Sequence, residues 1–424
     1  MRALFQLFFV LLFAAGFVHA DLPDDLDALR LADTAPRQVA VASDWQWFAE
    51  AAVGQSYLRK PEDTAFNQRL SVELQFDQRF APGWRVVLAN RLDLVRQDKG
   101  TAPAIRNEVN TLKELYLSRQ VSENHLVDLG RINAYQGLAS GYNPTDFFRP
   151  GSVRSLVSIE PGSLKKNRLG SVILRSQHLW NDGAFTALVS PKLASQAKAA
   201  SFDPDWGASN NQNRWMLAFS HKIADGIDPQ WIIFDKENQS PQLGLNLSTA
   251  LGDSMVVYLE WSGGRSRSLL SQAQVLKGND DTAFRQHLAS GINYTDASKW
   301  SVIVELEYNG AAPDSSQWDG LRHGSPVVYG RYRSMQLEAQ ELATKKEVFF
   351  YLTWPDALVR HMDINALLKH NLADNSRLTW VEARYHLDKV DLALQLQRSS
   401  GDPTSAYGAS TQKRSVQALL RYYF

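Results

Sequence analysis

The sequence predicts an all-β protein: a transmembrane antiparallel β-barrel of about 18 strands, with short turns at one end and long loops at the other. Three observations predict it. Apolar and polar residues alternate with a period of two in segment after segment. The connections between segments are alternately short and long. The final segment alternates up to an aromatic residue, Phe424.

The alternation is plain in Leu70, Val72, Leu74 and Phe76, which interleave with Ser71, Glu73, Gln75 and Asp77 and so share one face of an extended chain. Met255, Val257, Leu259 and Trp261 repeat it, as do Trp300, Val302, Val304, Leu306 and Tyr308, and Val390, Leu392, Leu394 and Leu396. Segments of this kind begin near residues 44, 67, 84, 106, 124, 167, 183, 212, 230, 242, 254, 284, 299, 346, 361, 376, 389 and 412. Those near 44, 106 and 230 alternate least regularly, so sixteen strands is the alternative count.

The connections supply the second observation. Phe80-Ala81-Pro82-Gly83, Trp180-Asn181-Asp182-Gly183, Leu251-Gly252-Asp253, Thr295-Asp296-Ala297-Ser298 and His386-Leu387-Asp388 fall at every second place and are short, as periplasmic turns are. The stretches near 136–166, 191–211, 263–283, 310–345 and 399–411 are long and are expected outside the cell. This rhythm implies an even strand number with both ends of the barrel sheet facing the periplasm.

In the last strand Phe424, Tyr422, Leu420, Ala418 and Val416 share one face, and Tyr423, Arg421, Gln417 and Ser415 the other. Tyr422 and Phe424 are read as the assembly signal of an outer-membrane strand. Closure has a simple physical cause: in hydrocarbon every backbone N–H and C=O needs a partner, and only a helix or a closed sheet supplies them all. Trp84, Trp180, Trp261, Trp300, Tyr308, Trp354, Tyr385 and Tyr422 suit the aromatic girdles at the two membrane interfaces.

Arg2, the apolar run 4–18 and the small-residue site Val18-His19-Ala20 read as a secretory leader, residues 1–20. The run is shorter than the ~20 residues of a spanning helix. Residues 21–43 form a short acidic periplasmic segment, too short for a plug domain, and 44–424 form the barrel. Without cysteine there is no disulfide, thiol nucleophile or thiolate metal site. Lys+Arg and Asp+Glu both total 45, so the basic field of a nucleic-acid binder is missing. Mean hydropathy of −0.31 suits a soluble protein, but barrels give the same average because their two faces cancel. No catalytic, metal or cofactor site is read from the sequence.

A barrel of this size encloses a channel rather than a packed core, and transport of a polar or charged solute is the function it implies. By strand parity the lumen wall includes Glu73, Arg85, Arg91, Asp93, Glu260, His287, Asn293, Glu305, Glu307, Glu382, Arg384, Asp391, Lys413 and Arg421. Both signs are present, and opposed acids and bases would set up a transverse field without strongly selecting an ion. Residues 130–151 stand apart, since Gly137, Gly141, Pro144, Pro150 and Gly151 oppose a strand while Tyr142, Phe147 and Phe148 are too aromatic for a solvated tip. We expect a constriction loop within 136–166, with Phe147 and Phe148 packed on the wall and Arg131, Asp146 or Arg149 exposed to solute; an ordinary extracellular loop is the alternative.

The strand layout, Gly130-Arg131 ending an early strand, the Asn143-Pro144-Thr145-Asp146-Phe147 segment and the aromatic terminus together resemble the alginate-export group of outer-membrane barrels. The resemblance implies a pore-lining cation at Arg131. It does not carry over the substrate, because alginate exporters line their channel densely with Arg and Lys and the lumen set here is balanced. Two other functions compete with a channel. One is an outer-membrane hydrolase, for which His361, His370 and His386 with Asp363 and Ser376 are the candidates. The other is an adhesion barrel acting through its long loops. Expected partners are outer-membrane lipid and lipopolysaccharide, the barrel-assembly machinery and a periplasmic or inner-membrane export partner, and no nucleic acid.

Overall fold

The computed structural model describes residues 45–59, 63–98, 105–198, 200–275 and 280–424; the leader and acidic segment expected over 1–43 lie outside these residues. Among these residues there are eighteen strands, numbered β1 to β18. They are Trp45–Leu58, Thr64–Ala81, Trp84–Asp98, Ile105–Ser122, His125–Ile132, Ser171–Trp180, Gly183–Ser190, Arg214–His221, Gln230–Lys236, Gln242–Leu251, Met255–Ser266, Ala283–Thr295, Ser301–Asn309, Lys346–Trp354, Met362–Asn371, Arg377–His386, Val390–Ser400 and Gln412–Tyr423. Each pairs antiparallel with its chain neighbours, and β1 pairs with β18 from Phe48↔Tyr423 to Leu58↔Gln412, so the ring closes and no edge is left unpaired.

The faces are inverted relative to a soluble sheet. Val53, Leu70, Val72, Leu94, Val304, Leu394, Leu396 and Leu420 point outward and are exposed, while Glu50, Glu73, Arg91, Asp93, Glu260 and Glu305 point inward and are buried. Aromatic pairs gather at the short-turn end: Trp45 on Phe76, Phe80 by Trp84, Trp180 and Trp231 on either side of Phe219, and Tyr294 by Trp300. Trp47 and Phe424 stack at 3.4 Å across the β1–β18 closure.

The structure shifts one expected boundary and adds helices that the sequence reading did not name. The strand expected near 167 begins at Ser171, because Pro161–Lys166 form a short helix, α1, capped by Glu160, whose carboxylate accepts from Gly162 N and Ser163 N. The long loops are also not all irregular. They contain α2 (Trp206–Ser209), α3 (Leu269–Gln272), α4 (Ser315–His323) and α5 (Pro326–Ala339). Leu269, Leu270, Ala311, Ala312, Trp318, Leu321, Tyr332 and Ala406 pack into a separate apolar core at the loop end with Ala373 of the β15–β16 connection against it, so four loops fold together as a cap.

Strand lengths decide where the wall is incomplete. β5 is much shorter than its neighbour β4, so the part of β4 beyond the Leu115↔Arg131 pair has no strand beside it on that side. Chain from the β5–β6 and β7–β8 connections fills this seam: Asn110 N donates to Ser201 O, and Gly170 packs against Lys113 O.

Candidate functional site: the loop inside the barrel

Residues 133–170 leave β5, run along inward-facing side chains of the wall and return to β6. Their first arm is held by carboxylates. Glu260 of β11 accepts from Leu138 N (2.9 Å), Ala139 N (3.0 Å), Thr145 N (2.8 Å) and Thr145 Oγ1 (2.9 Å). Glu305 of β13 accepts from Ser140 N (2.5 Å) and Gly141 N (2.8 Å). A loop buried against a wall must satisfy its own N–H groups, and these acids do so where no ladder exists. Glycine is required at two points: Gly137 has φ 96° and lies against the Glu260 carboxylate, and a Cβ on Gly141 would strike Glu307 and Phe349. Lys369 of β15 donates to Gly141 O (2.9 Å).

The arm then anchors by its aromatics. Phe147 stacks on Phe234 of β9 at 4.6 Å, and Phe148 meets the same ring edge-on at 5.8 Å, within a cluster that includes Ile173, Met216 and Ile232. Arg168 clamps the base of the loop, with Nη1 2.6 Å from Asp146 Oδ2 and Nη2 3.2 Å from Oδ1. Glu341, just beyond α5, joins this arm to the cap. Arg149 Nη2 (3.0 Å), Tyr142 Oη (2.7 Å) and Asn309 Nδ2 (2.7 Å) all donate to it. Burial pushes the Tyr142 phenol well up, with the Glu341 charge adding to it; for Arg149 burial pulls down, but Glu341, Tyr142 and Asp146 together outweigh it and raise the guanidinium.

The second arm crosses the ring. Arg154 donates to Asn110 O of β4 (3.0 Å) and Asp203 O (3.1 Å). Arg69 of β2 donates to Val157 O (3.0 Å). Ile159 packs on Phe349, Tyr351, Leu367 and Trp380 of β14 to β16, and Tyr351 Oη donates to Glu160 (3.3 Å). α1 follows, with Lys165 over the Tyr135 ring at 4.7 Å.

The facing wall, β1 to β4 with β18, is a connected set of ion pairs. Arg91 lies 2.9 Å from Asp93, 3.2 Å from Glu73 and 3.3 Å from Glu50. Arg69 and Arg421 share Glu50 at 2.5 and 2.7 Å, and Lys113 lies 2.5 Å from Glu73. Nearer the turn end Arg384 pairs with Glu382 (2.9 Å) and Asp391 (3.4 Å), and the more exposed Arg85 pairs with Asp77. Glu307 faces Glu347 across the β13–β14 ladder. Buried charges persist when paired and hydrogen-bonded, as those around Arg91 and Glu50 are, whereas both carboxylate oxygens of Glu307 are buried without a hydrogen-bond partner.

Three residues expected to meet solute are each engaged by protein groups. Arg131 is 2 % exposed and sits in the wall seam, donating to Gly170 O and Pro204 O and lying 4.6 Å from the Trp206 ring. Asp146 is closed off by Arg168, and Arg149 by Glu341 and the Tyr142 ring. In each case the polar group secures the loop, because a side chain at the base of an ordered loop has buried backbone to satisfy. The candidate hydrolase cluster is also pulled apart. His370 receives Arg377 Nε at the loop end of β15, whereas His386 lies between Asp363 and Asp391 at the turn end. The parity that found Glu260 and Glu305 assigned them to the wall but not to the loop. Arg168 and Glu341 carried no signal, since their partners are distant in sequence.

No family model matches this sequence, and no curated protein does. Solved structures do. OccAB1 of Acinetobacter baumannii is 10 % identical, with 90 % of this chain and 96 % of that one aligned at a TM-score of 0.56. OccK7 (OpdD) of Pseudomonas aeruginosa is 9 % identical over 90 % and 98 %, at 0.52; OccK8 (OprE) of the same organism is 10 % identical over 90 % and 97 %, at 0.50. At one residue in ten the likeness is one of fold. The chain is an 18-stranded antiparallel barrel of the outer-membrane type, similar in architecture to the Occ barrels.

Proposed function

We propose that the barrel is an outer-membrane channel for small polar or charged solutes, with residues 133–170 as its constriction. One observation carries this reading: a single loop is anchored to inner-face groups of β2, β4, β9, β11, β13 and β14, so whatever passes must pass beside it. The likeness to alginate exporters would add a polyanionic cargo. Such a cargo needs cations free to meet it, and Arg69, Arg91, Lys113 and Arg421 are engaged by wall carboxylates, which favours a small solute. Removal of residues 1–20, insertion by the assembly machinery with Tyr422 and Phe424 as signal, and contact with lipopolysaccharide complete the proposal.

Purified protein in a planar bilayer is expected to give stepwise conductance; a folded barrel that never conducts refutes the channel. A second reading, adhesion through the loops, draws on the folded cap around Trp318. It predicts that deleting 315–339 abolishes surface binding and leaves conductance as it was.

A further inference from the structure

Between the anchors of the second arm one residue stands in water. Leu156 is 65 % exposed, although Arg154 before it is tied to β4 and the β7–β8 connection, and Val157 and Ile159 after it to β2 and to β14–β16. β4 and β14 lie across the ring from one another, with β5–β13 between them on one side and β1–β3 with β15–β18 on the other. Residues 154–159 are therefore a bridge through the lumen, and Leu156 is its unshielded apolar side chain, flanked by Ser155 and Ser158. An exposed leucine on an outer surface needs no explanation. Inside a lumen walled by ion pairs, on a segment fixed at both ends, it offers hydrocarbon contact at a set position in the path.

Resting on the channel reading above, we infer that Leu156 is a specificity-determining contact, and that it favours small zwitterions or ions bearing a hydrocarbon side chain over equally charged solutes without one. Polar parts of such a solute stay solvated beside Ser155, Ser158 and the charged wall while its apolar part lies along Leu156. Contact area removed from water is the source of the preference, so it scales with the side chain of both partners.

Liposome swelling with leucine and with serine tests this, since both are membrane-impermeant zwitterions of the same net charge. Leu156→Ser and Leu156→Ala are expected to lower the leucine-to-serine rate ratio by about threefold, the factor that accompanies losing a quarter to a half of a leucine's full burial. Leu156→Met, which keeps the apolar surface, should hold the ratio near wild type. If wild-type liposomes neither swell nor conduct, the channel reading itself fails. If they swell and the ratio is unchanged in Leu156→Ser and Leu156→Ala, or both rates change together, the channel stands and the role of Leu156 is overturned. Heat-modifiable mobility checks that each variant is folded, and an exposed side chain makes none of these changes a threat to the barrel.

Discussion

Removing the Glu260 carboxylate is expected to free the first arm of the loop while leaving the barrel closed. In Glu260→Ala three backbone N–H groups, of Leu138, Ala139 and Thr145, lose their acceptor together, while the Thr145 hydroxyl keeps Asn246 Oδ1 at 2.9 Å. Each stranded buried donor costs about 1–3 kcal/mol. Water can enter the vacated space and recover part of that, so we expect about 3–5 kcal/mol against the attached arm. Every ~1.4 kcal/mol is tenfold in population, so a detached arm rare in the wild type becomes readily observed. Glu260→Gln is not conservative here. Leu138 and Ala139 donate to one carboxylate oxygen and Thr145 to the other, so an amide must turn its NH2 toward one donor set, costing about 2 kcal/mol. Single-channel recording should show larger and noisier conductance in the order Ala, Gln, wild type, and protease added outside should cut within 137–145 only in the variants. Heat-modifiable mobility should not change, because the β10–β11 and β11–β12 ladders do not use this side chain. Wild-type conductance and protection in a folded Glu260→Ala barrel would refute the claim that the carboxylate holds the loop.

Gly141→Ala is expected to act in the same direction, since its methyl group meets Glu307 and Phe349, and an increase in conductance measures it. Arg168→Ala leaves Asp146 buried without its partner at a cost of about 3–5 kcal/mol, and the pair Asp146→Leu with Arg168→Met should recover most of it in a loop-proteolysis assay. For Asp374, in the β15–β16 connection, burial raises the carboxyl, but Ser376, Ala406 N and Trp318 Nε1 outweigh this and hold it below the ordinary value. A depressed folded value stabilises the cap above the unfolded carboxylate range near ~3.9 and loses that contribution as pH falls through the lower folded value. Trp318 fluorescence should therefore report loosening of the cap only below about pH 4, and loosening that begins near neutrality would contradict it. Phe424→Ala removes a parallel ring stack on Trp47 worth about 1 kcal/mol. It should slow insertion into vesicles, and Trp47→Ala should do the same.

The barrel was legible because its causes are local and repeat. A period of two in Leu70 to Asp77 or Val390 to Gln397 assigns both the strand and its faces, and short turns such as Asn181-Asp182 set the order of neighbours. The cap was legible in part. Asp314 and Gln317 form a capping box and Pro326 opens the following helix, signals that a reading tuned to alternation passes over. The loop shows the limit. Its irregularity and the wall-seeking character of Phe147 and Phe148 are properties of the segment itself. The fates of Arg131, Asp146 and Arg149 depend on Pro204, Arg168 and Glu341, which the chain brings up only after closure. Parity tells which side of a strand a charge occupies; it cannot tell whether that charge meets solute or another residue.

That distinction bears on how the proposed channel would select. A transverse field requires acids and bases held apart on opposite walls. Around Arg91 they instead alternate within a few ångströms, each cation touching a carboxylate and Glu50 shared by Arg69, Arg91 and Arg421. On the other wall the charges of Glu260 and Glu305 are turned into the amides of the loop rather than toward the path. Charges compensated at such range leave little potential a Debye length of ~8 Å away. Selection then falls to the shape of the gap beside the loop and to the groups bared on the bridge. The reversal potential in a KCl gradient should lie near zero and shift little with ionic strength. Charge-reversing Arg91 alone should disrupt folding before it alters ion preference, because it unpairs Glu73, Asp93 and Glu50 together. A strongly anion- or cation-selective wild-type channel would mean that the wall pairs open to passing ions, and would return the electrostatic reading to first place.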